Sequence, residues 1–208
     1  DIPKDVQFAK GKYFGPNNVS INSHRLFNPQ IRGNDSQIEE ATKLIANAKK
    51  PIFYIGGGCI NSGPKASKLV REFLKLTGAP ASMTLMGLGV ISASDPLSLG
   101  MLGMHGMYEA NLAMHECDVM VNIGARFDDR VTGRLDAFSP NSKKIHIDID
   151  ASSIQKNIKV DIPIVGDVEA IVEQIITSWK KNNYSIENEA LISWWKKISE
   201  WKKIDCLS

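Results

Sequence analysis

The chain has 208 residues, 43% of them hydrophobic and 23% charged, with a formal net charge of +2. These values are typical of one globular domain and exclude an intrinsically disordered chain. The small net charge and scattered lysines give no support to nucleic-acid binding, and no apolar run approaches the roughly 18–20 residues that span a membrane. Three cysteines without CxxC spacing argue against a disulfide framework or a zinc site. We therefore expect a protein of a reducing compartment, the cytoplasm.

DIPKDVQ at residues 1–7 is typical of the end of a strand, so we expect the chain to begin in mid-element. Residues 11–35 are rich in glycine, asparagine, proline and serine and lack periodicity, which predicts an extended linker. Ser36 and Glu39 match a capping box, and the apolar residues that follow at helical spacing predict a helix that ends before Pro51. The folded domain is therefore expected to begin at residue 36.

A regular alternation of strands and helices follows. Short apolar runs predict strands at residues 51–55, 80–85, 119–124, 144–150 and 162–165. Helical spacing predicts helices that begin near Pro64 and Tyr108, one at 168–181 and one in the tail at 189–203, and a long loop at 86–106. The alternation predicts an α/β fold, a three-layer Rossmann-like domain of about six mostly parallel strands flanked by helices. Ligands of such sheets bind beyond the carboxyl ends of the strands.

A run of glycines follows the first strand, in the segment YIGGGCINSGPKA. Gly56–Gly58 allow the backbone to approach a ligand closely, and the helix behind them is expected to offer free N–H groups to an anion. The spacing differs from both the dinucleotide fingerprint G-x-G-x-x-G and the P-loop. The second strand ends in Thr84–Met86, where an NAD-binding protein carries an acid for the ribose. The pattern favours a phosphate or dinucleotide site over the alternative, a tight turn, and disfavours NAD.

Two further segments combine glycine with charged or titratable residues. In GMLGMHGMYEAN, His105 has no Ser or Cys partner at a recognisable spacing, so an ordinary loop histidine is favoured over a catalytic one. In GARFDDRVTG, Arg126 and Arg130 suit phosphate or an electron-rich ring, because guanidinium groups fork and stack. Asp128 and Asp129 can hold those arginines, which are expected to lower the pKa of both carboxyls. A solvated run of charges is the alternative.

Acidic residues close the last two strands. Asp148 and Asp150 alternate with isoleucines in HIDID, so both are expected to project from one face, where a strand-end acid can accept from a ribose hydroxyl. Capping of the turn at 152–154 is an equal alternative for these acids. Asp167 ends the last strand in the same way, and capping of the next helix is again the alternative.

Taken together, these segments resemble the central domain of the acetolactate synthase (acetohydroxyacid synthase) large catalytic subunits. IGGGCINSG, TLMGLG, DPLSLGMLGMHG, GARFDDRVTG and HIDID follow in that family's order and at its spacing, and the resemblance extends from residue 1 to about 180. GARFDDRVTG together with MLGMHG is specific within the wider family of thiamine-diphosphate enzymes.

The resemblance implies condensation of two pyruvates, or of pyruvate and 2-oxobutyrate, to 2-acetolactate or 2-aceto-2-hydroxybutyrate with release of CO2, in branched-chain amino-acid biosynthesis. It implies thiamine diphosphate and Mg²⁺ in the parent enzyme and a structural FAD in the central domain. It divides the chain into the end of a thiamine-binding domain at 1–10, a linker at 11–35, an FAD-binding domain at 36–181, and a helix and linker towards a third domain at 182–208. Homodimeric or tetrameric catalytic subunits and a regulatory small subunit are the implied partners, besides the 2-oxoacid substrates.

The resemblance also implies roles for residues. Carried over by motif, the FAD-binding residues are Gly56, Gly57, Gly58, Asn61, Thr84, Leu85, Met86, Met101, Leu102, His105, Gly124, Ala125, Arg126, Asp128, Arg130, Asp148, Ile149, Ser153, Asp167 and Val168. Met104, Asp129 and Arg130 are expected near the substrate channel. No catalytic residue or metal ligand is expected, because the thiamine-activating glutamate belongs to the family's first domain and the diphosphate and magnesium motif to its third. These residues alone are therefore not expected to make acetolactate.

Three alternatives remain open. ARFDDRVTG argues against another thiamine-diphosphate enzyme of the same architecture, such as a pyruvate oxidase or a glyoxylate carboligase. A stand-alone nucleotide-binding module without chemistry of its own would share the glycine motifs. The missing acid after the second strand counts against an NAD-linked oxidoreductase or a deacylase on a related fold.

Overall fold

The computed structural model describes residues 4–12 and 29–204. Most of the predicted linker, residues 13–28, and also Cys206 lie outside the described residues. The strand end predicted at residues 1–7 is wrong for its described part, because Lys4–Phe8 forms a short helix, α1, with no buried side chain. A strand needs a neighbouring strand for its backbone hydrogen bonds, whereas a helical turn satisfies them locally.

Six parallel strands form one sheet at the centre of the fold. They are β1 (Pro51–Ile55), β2 (Ala81–Met83), β3 (Ser98–Met101), β4 (Val119–Ile123), β5 (Lys143–Asp148) and β6 (Ile162–Val165). The order across the sheet is β3-β2-β1-β4-β5-β6, and every neighbouring pair is parallel. The predicted α/β, Rossmann-like class is confirmed.

Helices cover both faces of the sheet. They are α2 (Asp35–Ala46), α3 (Gly58–Asn61), α4 (Pro64–Thr77), α5 (Tyr108–Glu116), α6 (Asp129–Thr132), α7 (Val168–Lys181) and α8 (Asn188–Lys202). Helices α2, α4 and α7 pack over one face, and α5 and α8 pack over the other. Among the described helices, none has the length and apolar character needed to cross a membrane.

The sequences of the central strands account for the two covered faces. In β1, Phe53 and Ile55 belong to the core beneath α2, α4 and α7, whereas Ile52 and Tyr54 belong to the core beneath α5 and α8. Successive residues of a strand point to opposite faces, so a strand that is apolar throughout is buried on both. Every residue of β1 and of β4 is buried, which produces the three layers.

The helix ends follow local signals. Asp167 caps α7 by accepting from the N–H two residues further on, which confirms the capping alternative. Pro64 occupies the first turn of α4, and Gly78 ends that helix with a φ of +65°. The capping box predicted at Ser36 is wrong, because Asn34 caps α2 by accepting from the Ser36 N–H.

The structure differs from the predicted elements in several places, since the short helices α3 and α6 lie in segments predicted as loops and the segments around β2 and β3 also differ. The predicted loop at 86–106 contains β3, an edge strand that pairs with β2 through an irregular register. Its Gly100 has a φ of +72°, and the glycine- and serine-rich composition of the segment is typical of a loop although Leu97, Leu99 and Met101 alternate with smaller residues. The predicted second strand ends early, at Met83, because Thr84 caps a 3₁₀ turn at Leu85–Gly87.

Helix α8 is fixed to the rest of the fold by its tryptophans. Trp194 is 2% exposed, packs edge-to-face on Trp201 with ring centroids 5.7 Å apart, and donates from Nε1 to the Pro51 carbonyl oxygen at 3.0 Å. Trp195 donates to the carbonyl oxygen of Gly78 at 2.8 Å. The interpretation of the tail tryptophans as packing residues is confirmed.

Replacing Trp194 by alanine is expected to lower the free energy of unfolding by about 3–5 kcal/mol, because a buried indole leaves the core beneath α8. The matched control is Ile192→Ala on the same helix, which should change stability by only about 0.5 kcal/mol because its side chain is 59% exposed. Urea unfolding followed by circular dichroism measures both variants, and equal losses would contradict this packing of α8.

Candidate functional site

The order of strands reverses between β1 and β4, which are neighbours at the centre of the sheet. In open parallel sheets, the crevice outside the carboxyl ends of the strands at such a switch point is where ligands bind. The predicted segments Gly56–Gly58 and 124–130 follow β1 and β4, so the fold brings them together at this crevice.

The two loops touch backbone to backbone. The N–H of Gly56 donates to the carbonyl oxygen of Ile123 at 2.8 Å, and the N–H of Gly58 donates to that of Gly124 at 3.0 Å. A Cβ on Gly56 would lie 2.1 Å from the Gly124 oxygen, and a Cβ on Gly58 would lie 2.7 Å from the Gly124 Cα. Gly124 itself has a φ of +65°, a conformation that favours glycine. Contact between the loops therefore requires these glycines, whatever the ligand.

The backbone amides at the start of α3 are mostly engaged by the protein. The N–H groups of residues 58–60 all donate to carbonyl oxygens of the two glycine loops, and α3 has only four residues. The sequence predicts free N–H groups for the helix that begins near Pro64, and it does not predict the short helix α3 in front of it. Of the N–H groups of residues 56–61, only that of Gly57 has no acceptor among the described residues.

A cavity of about 550 Å³ opens beside the glycine contact. The predicted residues that line it are Gly57, Gly58, Asn61, Thr84, Leu85, Met86, Met101, Leu102, Met104, His105, Gly124, Ala125, Arg126, Asp128 and Arg130. Tyr54, Ile60 and Val131 also line it but are absent from the sequence prediction. Each is an apolar or aromatic residue in a strand or a short helix, a pattern that indicates core packing rather than a site.

A smaller cavity of about 280 Å³ adjoins the first, towards β5 and β6. Its lining consists of Gly58, Asn61, Ser62, Gly124, Asp148, Ile149, Asp167 and Val168. Gly58, Asn61 and Gly124 line both cavities. We call the two cavities together the switch-point groove.

Gly56, Ser153 and Asp129 line neither cavity of the groove. Gly56 is buried, Asp129 is 78% exposed, and the Ser153 hydroxyl donates to Asp150 Oδ2 at 2.9 Å. Asp150 accepts further bonds from the turn that follows it, which confirms the capping alternative for this acid and lowers its pKa. Of the two acids predicted to share a face, Asp148 alone lines the groove.

A buried asparagine fixes the loop that follows β4. Asn122 accepts from the N–H of Ala125 at 3.0 Å and donates to the Ala125 carbonyl oxygen at 2.6 Å. Phe127 is buried with a φ of +54°, which is unusual for a residue other than glycine. Its ring packs edge-on against His146, with centroids 5.1 Å apart. These contacts hold the charged residues on each side of Phe127 at the mouth of the main cavity.

The charges at this mouth are paired but accessible. Arg126 is 75% exposed and forms an ion pair with Asp128. The backbone N–H of Arg130 donates to Asp128 Oδ1 at 3.1 Å, and this bond, followed by the side chains of Asp129 and Arg126, holds the pKa of Asp128 below its usual range. The predicted lowering is thus confirmed for Asp128, with the backbone amide as its largest cause. Arg126 keeps guanidinium N–H groups directed to solvent.

The loop between β3 and α5 is tied to the loop after β4. The N–H of Met104 donates to the Arg130 carbonyl oxygen at 3.0 Å, and the Asn111 side chain bonds both the N–H and the carbonyl oxygen of Gly103. His105 is exposed on this loop, and no side chain in the described residues hydrogen-bonds to it.

A serine links the glycine loop to the start of α7. The Ser62 hydroxyl donates to Asp167 Oδ1 at 2.8 Å and accepts from the Glu169 N–H at 3.0 Å. A serine between asparagine and glycine carries no sequence signal of such a long-range contact. Asp167 therefore caps α7 and holds the groove together, besides lining it.

The groove has three chemically different zones. Its β2–β3 end is apolar, with Leu85, Met86 and Leu102, its centre carries the guanidinium of Arg126, and its β5–β6 end carries the carboxylate of Asp148. Within residues 4–12 and 29–204, no three His, Cys, Asp or Glu side chains are grouped so that they could hold a metal ion. The arrangement suits an elongated ligand with an apolar ring, an anionic centre and hydroxyl groups at its far end.

Comparison with known proteins adds to this geometry. Residues 38–175 match the sequence profile of the family described as thiamine pyrophosphate enzyme, central domain. Over its full length the chain is 43% identical to the acetolactate synthase large subunits of Buchnera aphidicola and Haemophilus influenzae, and covers 35% of each. It is 40% identical to the acetolactate synthase isozyme 3 large subunit of Escherichia coli and covers 36% of it. The chain thus spans about a third of the length of these relatives.

Replacing Gly56 by alanine is expected to lower the free energy of unfolding by about 1–3 kcal/mol, because its Cβ would overlap backbone atoms that cannot move aside. The matched control is Gly11→Ala, where no atom lies within 4 Å of the added Cβ. Thermal and urea unfolding measure both variants. A Gly56→Ala protein as stable as the control would show that the loops do not touch as described.

Proposed function

Because the chain belongs to the thiamine pyrophosphate enzyme family, as its central domain, we propose that the switch-point groove binds FAD. The observation that supports this most strongly is the sequence of zones in one groove: apolar, cationic and acidic. The main cavity, about 550 Å³, has the size of ordinary cofactor sites. The residues implied by the resemblance to acetolactate synthases line this groove with few exceptions.

The apolar zone would hold the isoalloxazine ring. Leu85, Met86 and Leu102 offer hydrocarbon and thioether surface, and methionine sulfur packs favourably against aromatic rings. Thr84 is already engaged as the cap of the 3₁₀ turn, which sets the position of Leu85 and Met86. When bound, the flavin would serve as a structural element, since the condensation proposed below involves no net oxidation.

The cationic zone would hold the diphosphate. Arg126 presents guanidinium N–H groups to solvent, and charge-assisted bonds from such groups to phosphate are strong. The N–H of Gly57, which has no acceptor among the described residues, would supply a second donor in the same cavity. The acidic zone would hold the adenosine, with Asp148 accepting from a ribose hydroxyl.

For the whole protein we propose the activity of an acetolactate synthase catalytic subunit. Two 2-oxoacids would be joined with loss of CO2, using thiamine diphosphate and Mg²⁺ held by domains outside these 208 residues. The names of the relatives and the full-length identity to them support this proposal. These residues would hold the flavin, and Met104 and Arg130 at the groove mouth would face the substrate channel.

Exposed apolar side chains at the rim of the groove support the proposal that another protein surface covers it. Leu85, Met86 and Met104 are 69%, 75% and 67% exposed, and they lie together at the main cavity. Clustered exposed apolar side chains mark surfaces that are covered in an assembly. We propose that other domains, or a second catalytic subunit of a dimer or tetramer, cover this rim.

The competing interpretation is that the groove binds NAD. It requires an acid at the end of β2 for the adenosine ribose, and the structure has Thr84 there as a turn cap. The acid that lines the groove is instead Asp148, at the end of β5. This position favours an extended ligand that crosses the switch point over the usual NAD arrangement.

The full-length protein is expected to quench FAD fluorescence on titration and to bind FAD more tightly than NAD. Arg126→Ala should weaken FAD binding by about tenfold or more, since a bond to a charged group contributes about 1.5–3 kcal/mol. The matched control is Arg134→Ala, because Arg134 is 80% exposed, pairs with an aspartate two residues on as Arg126 does, and lies outside the groove. Tighter binding of NAD, or equal losses in the two variants, would contradict the proposal.

Pyruvate, thiamine diphosphate and Mg²⁺ should yield acetolactate with the full-length protein and none with residues 1–208 alone. The reason is that the resemblance to acetolactate synthases places the thiamine-activating glutamate in the family's first domain and the diphosphate and magnesium motif in its third. A colorimetric acetoin assay after acid decarboxylation measures the product. Turnover by the 208-residue piece would show that catalytic groups lie within it.

A further inference from the structure

A histidine behind the groove has no protein partner for either ring nitrogen. His146 lies in β5, is fully buried, and neither Nδ1 nor Nε2 has a hydrogen-bond partner within the described residues. Buried polar groups are nearly always hydrogen-bonded, so an exception calls for a physical reason.

The nearest charged group is a residue of the groove. His146 Nε2 lies 3.7 Å from Oδ2 of Asp148, two residues along the same strand, which is too long for a hydrogen bond. Asp148 Oδ1 already accepts from the Asp150 N–H at 2.9 Å, so its Oδ2 is the free oxygen. The Asp148 side chain is 14% exposed and lines the smaller cavity.

The neighbouring strands offer the imidazole nothing else. Asn122 stands beside His146 in register on β4, but its amide bonds to both backbone groups of Ala125 and forms no bond to the imidazole. Pro163 stands beside it on β6 and has no polar side-chain atom. On the remaining side lies the ring of Phe127, a residue of the loop that carries Arg126. Asp148 is thus the polar partner within reach.

We propose that His146 is a positioning residue for the adenosine end of the ligand, acting through Asp148. A small movement of the carboxylate brings Oδ2 to the Nε2–H of the imidazole, and Nδ1 then remains the acceptor nitrogen. Hydrogen bonds at binding sites are often long in the free protein and tighten when the ligand is bound. Held at both oxygens, Asp148 presents its remaining lone pairs to a ribose diol. This inference rests on the proposed function.

A double-mutant cycle in the full-length protein tests the coupling, with FAD and FMN as probes. His146→Phe fills the space against Phe127 but removes both nitrogens, and it should weaken FAD binding about tenfold, the loss expected for one bond to a charged group. Asp148→Asn should weaken it similarly. In the double variant, adding His146→Phe to Asp148→Asn should weaken FAD binding no further, because each change removes the same interaction. FMN, which lacks the adenosine, should bind all four proteins equally.

The conservative variant His146→Gln keeps a donor near the position of Nε2, so it should bind FAD almost as tightly as the wild-type protein. If His146→Phe does not melt cooperatively, His146→Asn replaces it, since its shorter amide cannot reach Asp148 and the same loss is expected. Unchanged FAD affinity, strictly additive losses, or an equal loss of FMN would overturn the positioning role. Failure of the wild-type protein to bind FAD would instead overturn the proposed function, and with it this inference.

Discussion

The backbone contact between Gly56–Gly58 and Gly124 determines where every other part of the candidate site lies. Hydrogen bonds of 2.8 and 3.0 Å join the loops after β1 and β4, and added Cβ atoms would overlap backbone on the opposite side. The same glycines that a sequence motif attributes to a phosphate are here required by the protein itself. The contact nevertheless serves ligand binding, because both cavities of the groove meet at it.

The order of strands explains how one groove acquires three kinds of chemistry. Moving outward from β1 on one side, the loops after β2 and β3 supply leucine and methionine side chains. Moving outward from β4 on the other side, β5 and β6 end in the acids that line the smaller cavity. The loop directly after β4 supplies the arginine between them, held by Asn122 and by the left-handed backbone of Phe127. An elongated ligand with matching ends follows from this layout.

Strong local patterns made much of the fold predictable from the sequence. Helix α7 has the bounds expected from its apolar spacing and its Asp167 cap, and the apolar run PIFYI is β1 as expected. The edge strand β3 was missed, because the glycines and serines of residues 86–106 are typical of a loop and outweigh the short alternation of Leu97, Leu99 and Met101. The motifs that resemble acetolactate synthases identified most of the residues that line the groove. They did not identify Ser62, whose role depends on a long-range bond to Asp167, or Asn122, whose local bonds to Ala125 are not signalled by its position in an apolar strand.

A crystal structure of the full-length protein with FAD tests the central claim most directly, namely that one groove across the switch point holds the whole cofactor. We expect flavin density against Leu85 and Leu102, the diphosphate between Gly57 and Arg126, and the adenosine ribose at Asp148. Density for the flavin at β5–β6 with the adenosine at β2–β3, or for FAD outside the groove, would contradict it.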